Sequence, residues 1–336
     1  MSVIRHPNTA GAASPFLAGK NKIINGDFGV WQRGTTFNSF AGGAYAADRW
    51  VGNYMNGTVN VTQQAFTAGN PISGYEPTYY MQMARTSTAG IADYIAQRVE
   101  DVRTFAGQTV TYSFWAKMSS GTGIVGTLFS QNFGSGGSGE VGTRGASFNL
   151  TSSWARYTQS ITLPSISGKT IGTSSWLGIS FQLPISEGNK TWQVWGAQLE
   201  AGSVATPFTT ATGTVQGELA LCQRYYQRIS SVNATTAYMH FGMGQAYSTS
   251  AAKVPIPLKV TMRTAPSISS TGSIGLLNSV NTAINNASLA VEAGPGNSPD
   301  VCSLVATGSS GLTAGNATTL IANANNTCYL EISAEL

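Results

Sequence analysis

The chain is poor in groups that make and break bonds. It has two histidines, His6 and His240. His6 lies in a polar opening segment. His240 sits inside an alternating, strand-like run, and no Asp or Glu occurs from Ser231 through Val291 to orient it. A serine triad or a histidine acid–base pair built on His240 therefore lacks a nearby carboxylate in sequence. No HExxH or CxxC spacing occurs, and two histidines make a His-rich metal site implausible. Glycoside hydrolysis needs two carboxyl groups about 5 to 9.5 Å apart. Candidates on paper include Glu100 with Asp101, Glu140 and Glu187. Neighbours on a strand point to opposite faces, so Glu100 and Asp101 do not pair across a substrate; a pair assembled in space, or between subunits, stays open. Better suited to chemistry without bond making are aromatics in loops beside amides and carboxylates, since flat apolar faces with a few convergent polar groups hold a ligand in a shallow groove. The first such set is Tyr75, Tyr79 and Tyr80 with Glu76 in NPISGYEPTYYMQ. Tyr54 with Asn53 and Asn56 is second, and Gln131, Asn132 and Phe133 before GSGGSG is third. Trp50, Trp115 and Trp195 are expected in the core.

The elements that must position these residues are strands. Charged residues make up 10% of the 336, against about 25% in ordinary domains, with Gly, Ser, Thr and Asn in their place. Disorder is excluded by 42% hydrophobic and 10% aromatic content, enough to bury a core. The net charge is +4, with all 18 Lys and Arg at or before Arg263 and four of the 14 carboxylates (Glu292, Asp300, Glu331, Glu335) after it. No basic cluster is denser than Lys20/Lys22, so no phosphate-binding stripe exists and nucleic acid is excluded as a partner. The first twenty residues lack the apolar stretch of roughly 7–15 residues of a signal peptide. No apolar run approaches the ~20 residues that span a bilayer, so membrane insertion is not expected. Cys222, Cys302 and Cys328 are too few and odd in number for a disulfide framework. Cys302 could pair with Cys328, but free buried thiols are favoured.

Residues 1–20 read as an attachment arm or a frayed terminus. Period-two alternation then marks Thr109–Lys117, Trp154–Leu163, Trp176–Leu183 and Thr191–Glu200, which argues an antiparallel sandwich over 21–209. Gly217–Ser230 reads as a helix, because Leu219, Cys222, Tyr226 and Ile229 form one apolar stripe at spacings of three, four and three. That stripe packs either on its own domain or against two further copies about a threefold axis. A linker and this helix fill 210–230, and a smaller β domain fills 231–336. There Val254, Ile256, Leu258, Val260 and Met262 alternate. Pro255 and Pro257 place that strand at an edge, and Asn278–Gly315 reads as long loops.

Several strings also carry a resemblance. Asn25-Gly26-Asp27-Phe28, Trp31-Gln32-Arg33-Gly34 and Asp48-Arg49-Trp50 open the first β domain. Ser113–Lys117 (SFWAK) lies within it, and Trp195–Glu200 (WGAQLE), Gly202 and Ala205–Phe208 (ATPF) close it. Together they resemble the galactose-binding-like jelly roll, similar to carbohydrate-binding modules, of bacteriophage tail-fibre and other virion appendage proteins. The likeness covers about residues 21–209. ELALCQRYY at Glu218–Tyr226 and MRTAPSI at Met262–Ile268 extend it; from Ser269 onward nothing matches, as for a variable distal tip.

The resemblance implies an all-β virion protein, tail fibre or spike, that binds host surface polysaccharide without catalysis. It further implies a homotrimer assembled in the host cytoplasm, joined to other virion proteins through the arm. The sugar contacts would fall to Tyr75, Glu76, Tyr79, Tyr80, Tyr54 and Asn132. No cofactor is implied beyond a candidate structural calcium ion, held by Asp27 from the opening segment and Glu200 from the last strand. The alternative is that Asp27 caps its own turn and Glu200 meets Arg33 or Arg49. A depolymerase cutting capsule or lipopolysaccharide, and a head-decorating fibre, are the competing functions.

Overall fold

Alternation of apolar and polar residues decides the architecture. The computed structural model describes residues 19–69, 71–231, 238–280, 282–284, 287–292 and 296–336. The expected arm at 1–20 lies outside these apart from Gly19 and Lys20. The chain divides into two compact units, one running through Glu218 and one from Leu219 to Leu336.

The first unit holds β1 (Thr36–Phe37), β2 (Trp50–Tyr54), β3 (Thr58–Ala65), β4 (Tyr79–Ser87), β5 (Ala92–Glu100), β6 (Thr109–Met118), β7 (Gly123–Asn132), β8 (Val141–Leu150), β9 (Ala155–Thr162), β10 (Trp176–Pro184) and β11 (Thr191–Ala201). Six strands form one antiparallel sheet in the order β1-β3-β4-β11-β6-β9, and five form a second in the order β2-β5-β10-β7-β8. This is the expected jelly-roll-like sandwich. Val110, Tyr112, Phe114 and Ala116 of β6 point into the layer between the sheets, where they meet Phe129 and Phe181. Each of the larger of these apolar side chains, such as Val110 and Phe114, contributes roughly 1.5–3 kcal/mol by leaving water. A fully buried ion pair clasps the two sheets: Arg85 Nε of β4 donates to Asp93 Oδ2 of β5 at 2.7 Å. The remaining Arg85 donors reach the carbonyls of Leu183, Pro184 and Gly188. Asp93 Oδ1 accepts the Asn56 and Gly57 N–H groups, both at 2.8 Å. With every charge partnered, burial is tolerable; removing one partner is not.

Helix α1 (Val215–Gln223) holds the boundary between the units. The second unit continues with β12 (Tyr226–Ser230), β13 (His240–Ala246), β14 (Ala251–Pro257), β15 (Ser267–Thr271), β16 (Ile274–Leu277), β17 (Ala283–Ile284), β18 (Ser288–Val291), β19 (Val301–Thr307), β20 (Ala317–Ala322) and β21 (Tyr329–Ser333). A three-stranded sheet, β12-β21-β15, and a seven-stranded one, β17-β16-β20-β13-β14-β19-β18, share a core of small and branched residues such as Val254, Ile256, Leu304 and Ile332.

Three expectations change here. The helix ends at Gln223, so Tyr226 and Ile229 leave the proposed stripe and pair in β12 with Ser333 and Leu330 of β21. Tyr-Gln-Arg-Ile-Ser is a weak helix former whose aromatic and β-branched residues fit a strand. Of the two stripe residues that stay helical, Cys222 is fully buried and only Leu219 is exposed. The threefold seam thus loses its carrier. Second, β14 is interior in the strand order, although its pairing with β13 covers only Ala252 and Lys253. Pro255 and Pro257 lie past that pairing, where their missing N–H groups break no ladder bond. Third, Asn278–Gly315 contains β17, β18 and β19; the apolar Val301–Thr307 run pairs with β14 despite its polar flanks. All three cysteines are buried and none is in a disulfide, and all lie in the second unit, whereas every tryptophan lies at or before Trp195 in the first.

Candidate functional site

The opening motif is a knot. Asn25 adopts φ 56°, a left-handed conformation that Asn tolerates better than most residues. Its side-chain amide donates to the Val30 and Asp48 carbonyls at 2.8 and 3.0 Å and accepts the Val30 N–H at 2.9 Å. The Trp50 indole N–H donates to the Asn25 carbonyl at 3.2 Å. Asp48 Oδ1 in turn accepts the Gln32 N–H at 2.9 Å. The NGDF, WQRG and DRW strings are therefore one interlocked structure. Gly26 presses on β11: a Cβ there would sit 2.2 Å from the Ala197 carbonyl oxygen, and the Ala197 N–H donates to the Gly26 carbonyl at 2.9 Å.

Gly196 makes the matching feature on β11. It has φ 67° and lies where the register with β6 shifts, between Trp195 and Gln198. Before this bulge Trp192 and Val194 face the main core; after it Ala197 and Leu199 do. Trp195 and, on β6, Trp115 consequently face the other side of the six-stranded sheet. There they form a second aromatic layer with Ile72 and Phe208. Trp195 lies 5.3 Å from Trp115, 5.4 Å from Tyr75 and 4.9 Å from Phe208, centroid to centroid. Trp115 and Trp195 are buried as expected, but in this layer; of the three tryptophans expected in the core, Trp50 alone lies in the main one.

Beside the layer opens a cleft of about 630 Å³. Tyr75, Tyr79, Trp195 and Phe208 supply its aromatic surfaces, Asp27, Glu76 and Glu218 its carboxyl groups, and Thr209, Thr210 and Thr214 its hydroxyls. The knot projects Asp27 into it, where the carboxylate accepts a long 3.4 Å bond from the Gly29 N–H. Burial, and then the nearby Glu218 carboxylate, push the Asp27 carboxyl up from its ordinary value of 3.8. Glu218, in the first turn of α1, is fixed by three donors: the Asn25 N–H at 2.9 Å, the Thr212 N–H at 2.7 Å and the Thr212 hydroxyl at 3.1 Å. Thr214 caps the same helix, accepting the Gly217 N–H at 3.1 Å. Glu76 Oε1 accepts the Gly69 N–H at 2.8 Å.

Of the expected sugar contacts, Tyr75, Glu76 and Tyr79 meet in this cleft. Tyr75 is partly spent on structure, since its hydroxyl accepts the Phe208 N–H at 2.7 Å; Tyr79 is 38% exposed and open to a ligand. Tyr80, the next residue on β4, points elsewhere and packs on Phe66 and Trp154. Tyr54 stands on β2 beside Tyr94 in the other sheet. Asn132 shapes its own loop, donating to Glu140 at 2.8 Å and accepting the Gly134 N–H at 2.9 Å. His240 is exposed on β13. The calcium pair also comes apart. Both Glu200 oxygens are taken by Thr206 and Gln198, at 2.7 to 2.9 Å, while Asp27 faces Glu218. Among the described residues no group of three or more His, Cys, Asp or Glu is arranged to hold a metal ion. Asp27 does cap its turn; Glu200 meets neither Arg33, which reaches Asp48 at 3.9 Å, nor Arg49, which donates to the Arg98 carbonyl at 2.6 Å.

No family model and no curated protein sequence matches the chain. Solved structures similar to it include the CBM22-2 xylan-binding domain of Paenibacillus barcinonensis Xyn10C, with 19% identity over 49% of this chain and 99% of that one, TM-score 0.34. A CBM4 structure aligns at 17% identity over 53% of this chain and 98% of that one, TM-score 0.31. The enzymatically active domain of bacteriophage CBA120 tailspike protein 4 aligns at 16% identity, over 56% of this chain and 22% of that one, TM-score 0.32. These are likenesses of strand arrangement, and no residue role follows from them.

Proposed function

We propose that the first unit binds a glycan chain in the Tyr79–Trp195 cleft without cleaving it. The observation that carries this reading is the cleft itself, which sets aromatic surfaces against carboxyl and hydroxyl groups suited to the two kinds of surface on a sugar. We place the protein in a virion appendage, a tail fibre or spike that offers the cleft to host surface polysaccharide. What supports that setting is the combination of NGDF, WQRG, DRW, WGAQLE and ELALCQRYY strings. Single-site affinity would be weak and multiplied by copy number on the particle.

The three carboxyl groups favour one competing reading, hydrolysis of the bound glycan. The raised Asp27 carboxyl would suit a general acid. Against it, Glu218 is held by its three donors as a structural cap, and Glu76 is tied to the Gly69 N–H. The test is a glycan panel probed with the full chain and with Tyr79→Ala, followed by a reducing-end assay on each glycan retained. Retention that weakens in the variant, without new reducing ends, supports the binding reading. Release of reducing ends overturns it in favour of the depolymerase, and retention unaffected by Tyr79→Ala overturns the assignment to the cleft.

A further inference from the structure

We propose that the cleft selects saccharides carrying a free primary ammonium group, an amino sugar, over neutral or acidic ones. The inference rests on the glycan-binding reading and names the substrate class of that same site. Three carboxyl groups line the cavity, and no Lys, Arg or His among the described residues does. Such a lining repels uronic acids and other anionic sugars, which is itself a means of selection.

The carboxyl groups divide the work. Glu218 is locked by the Asn25 and Thr212 donors, so its charge stays at the base of the knot whatever occupies the cleft. Asp27 is held by backbone N–H groups of its own turn, that of Gly29 at a long 3.4 Å, and a carboxylate with two oxygens keeps acceptor capacity for a ligand N–H. Tyr79 and Trp195 are within the same lining, and aromatic faces attract ammonium groups through the ring quadrupole. A primary ammonium offers three donors, which suits a site rich in oxygen acceptors and lacking cationic donors. The crowding of negative charge around Asp27, already visible in its raised carboxyl, is relieved by a cation and by no neutral sugar.

The experiment is calorimetry on the full chain at near-neutral pH with three tetramers of one linkage: β-1,4-glucosamine, its fully N-acetylated form, and cellotetraose. The glucosamine tetramer should bind roughly tenfold or more tighter than the other two, as a charge-assisted hydrogen bond allows. That preference should shrink in high salt and disappear in Asp27→Asn, with Glu76→Gln as a second variant that should weaken it. Unchanged tryptophan emission would establish that both variants fold. Equal or tighter binding of the neutral tetramers overturns the selectivity and leaves glycan binding standing. A preference that survives both substitutions overturns the assignment to this cleft. A full chain that retains none of these tetramers, nor any member of the glycan panel, overturns the glycan reading together with the inference.

Discussion

In the knot, Asn25 satisfies two carbonyls and one N–H, Asp48 takes up the Gln32 backbone, and Trp50 returns a bond to Asn25. In the cleft, two residues along the chain, Asp27 has a long contact from Gly29 and a carboxylate neighbour. The same turn therefore closes its polar groups on one side and leaves them open on the other. Strings that carry a resemblance need not line a cleft; here NGDF, WQRG and DRW interlock with one another, and Asp27 is the member that reaches the cleft.

The largest effect that would break this contrast is expected from Asn25→Ala. It strands two carbonyls and an N–H in the interior and forces Ala to φ 56°. We expect a loss of about 3–5 kcal/mol in chemical denaturation. Gly196→Ala comes next, because its Cβ would lie 2.7 Å from the Trp115 ring at φ 67°. A loss of roughly 2–4 kcal/mol should accompany weaker glycan retention, since Trp195 moves with the bulge. A knot mutant that kept full stability would mean that the interlock is incidental.

Asp27→Asn sharpens the comparison in the opposite direction. The folded protein holds the Asp27 proton more tightly than the unfolded chain does, because the folded-state carboxyl is raised. The associated stability is thus present below the ordinary value of 3.8 and is lost as pH rises from there through the raised value. Melting curves should show Asp27→Asn more stable than the parent at neutral pH and indistinguishable from it in acid, while ligand affinity falls. Equal melting temperatures at neutral pH would show that Asp27 is not strained by its surroundings. Tyr79→Ala should have the smallest effect on stability, within about 0.5 kcal/mol, and should weaken glycan affinity roughly fivefold, the worth of one aromatic contact.

Much of the sandwich was legible because alternation is a local signal. β6, β9, β10 and β11 stand within a residue or two of where Thr109–Lys117, Trp154–Leu163, Trp176–Leu183 and Thr191–Glu200 place them. The aromatic layer was half legible: Trp115 shares a face with Thr111 and Ser113, opposite Phe114, but the switch at Gly196 depends on a bulge that only pairing with β6 reveals. Of the set picked from loop chemistry, Tyr75, Glu76 and Tyr79 line the cleft and Tyr80 does not. Trp195, Phe208 and Glu218 were missed as cleft residues, because their place depends on contacts such as Asn25 to Glu218, made across 193 positions of sequence. Tyr226 and Ile229 show the reverse failure, helical spacing overruled by the pull of β21.

The segregation of tryptophan and cysteine gives each unit its own reporter. All seven tryptophans precede the boundary and all three cysteines follow it. Indole emission therefore follows opening of the first unit alone, and the rate at which the three buried thiols react with a label follows opening of the second. One denaturant series on the unmodified chain, read in both channels, would tell whether the two units unfold in one cooperative step or in sequence.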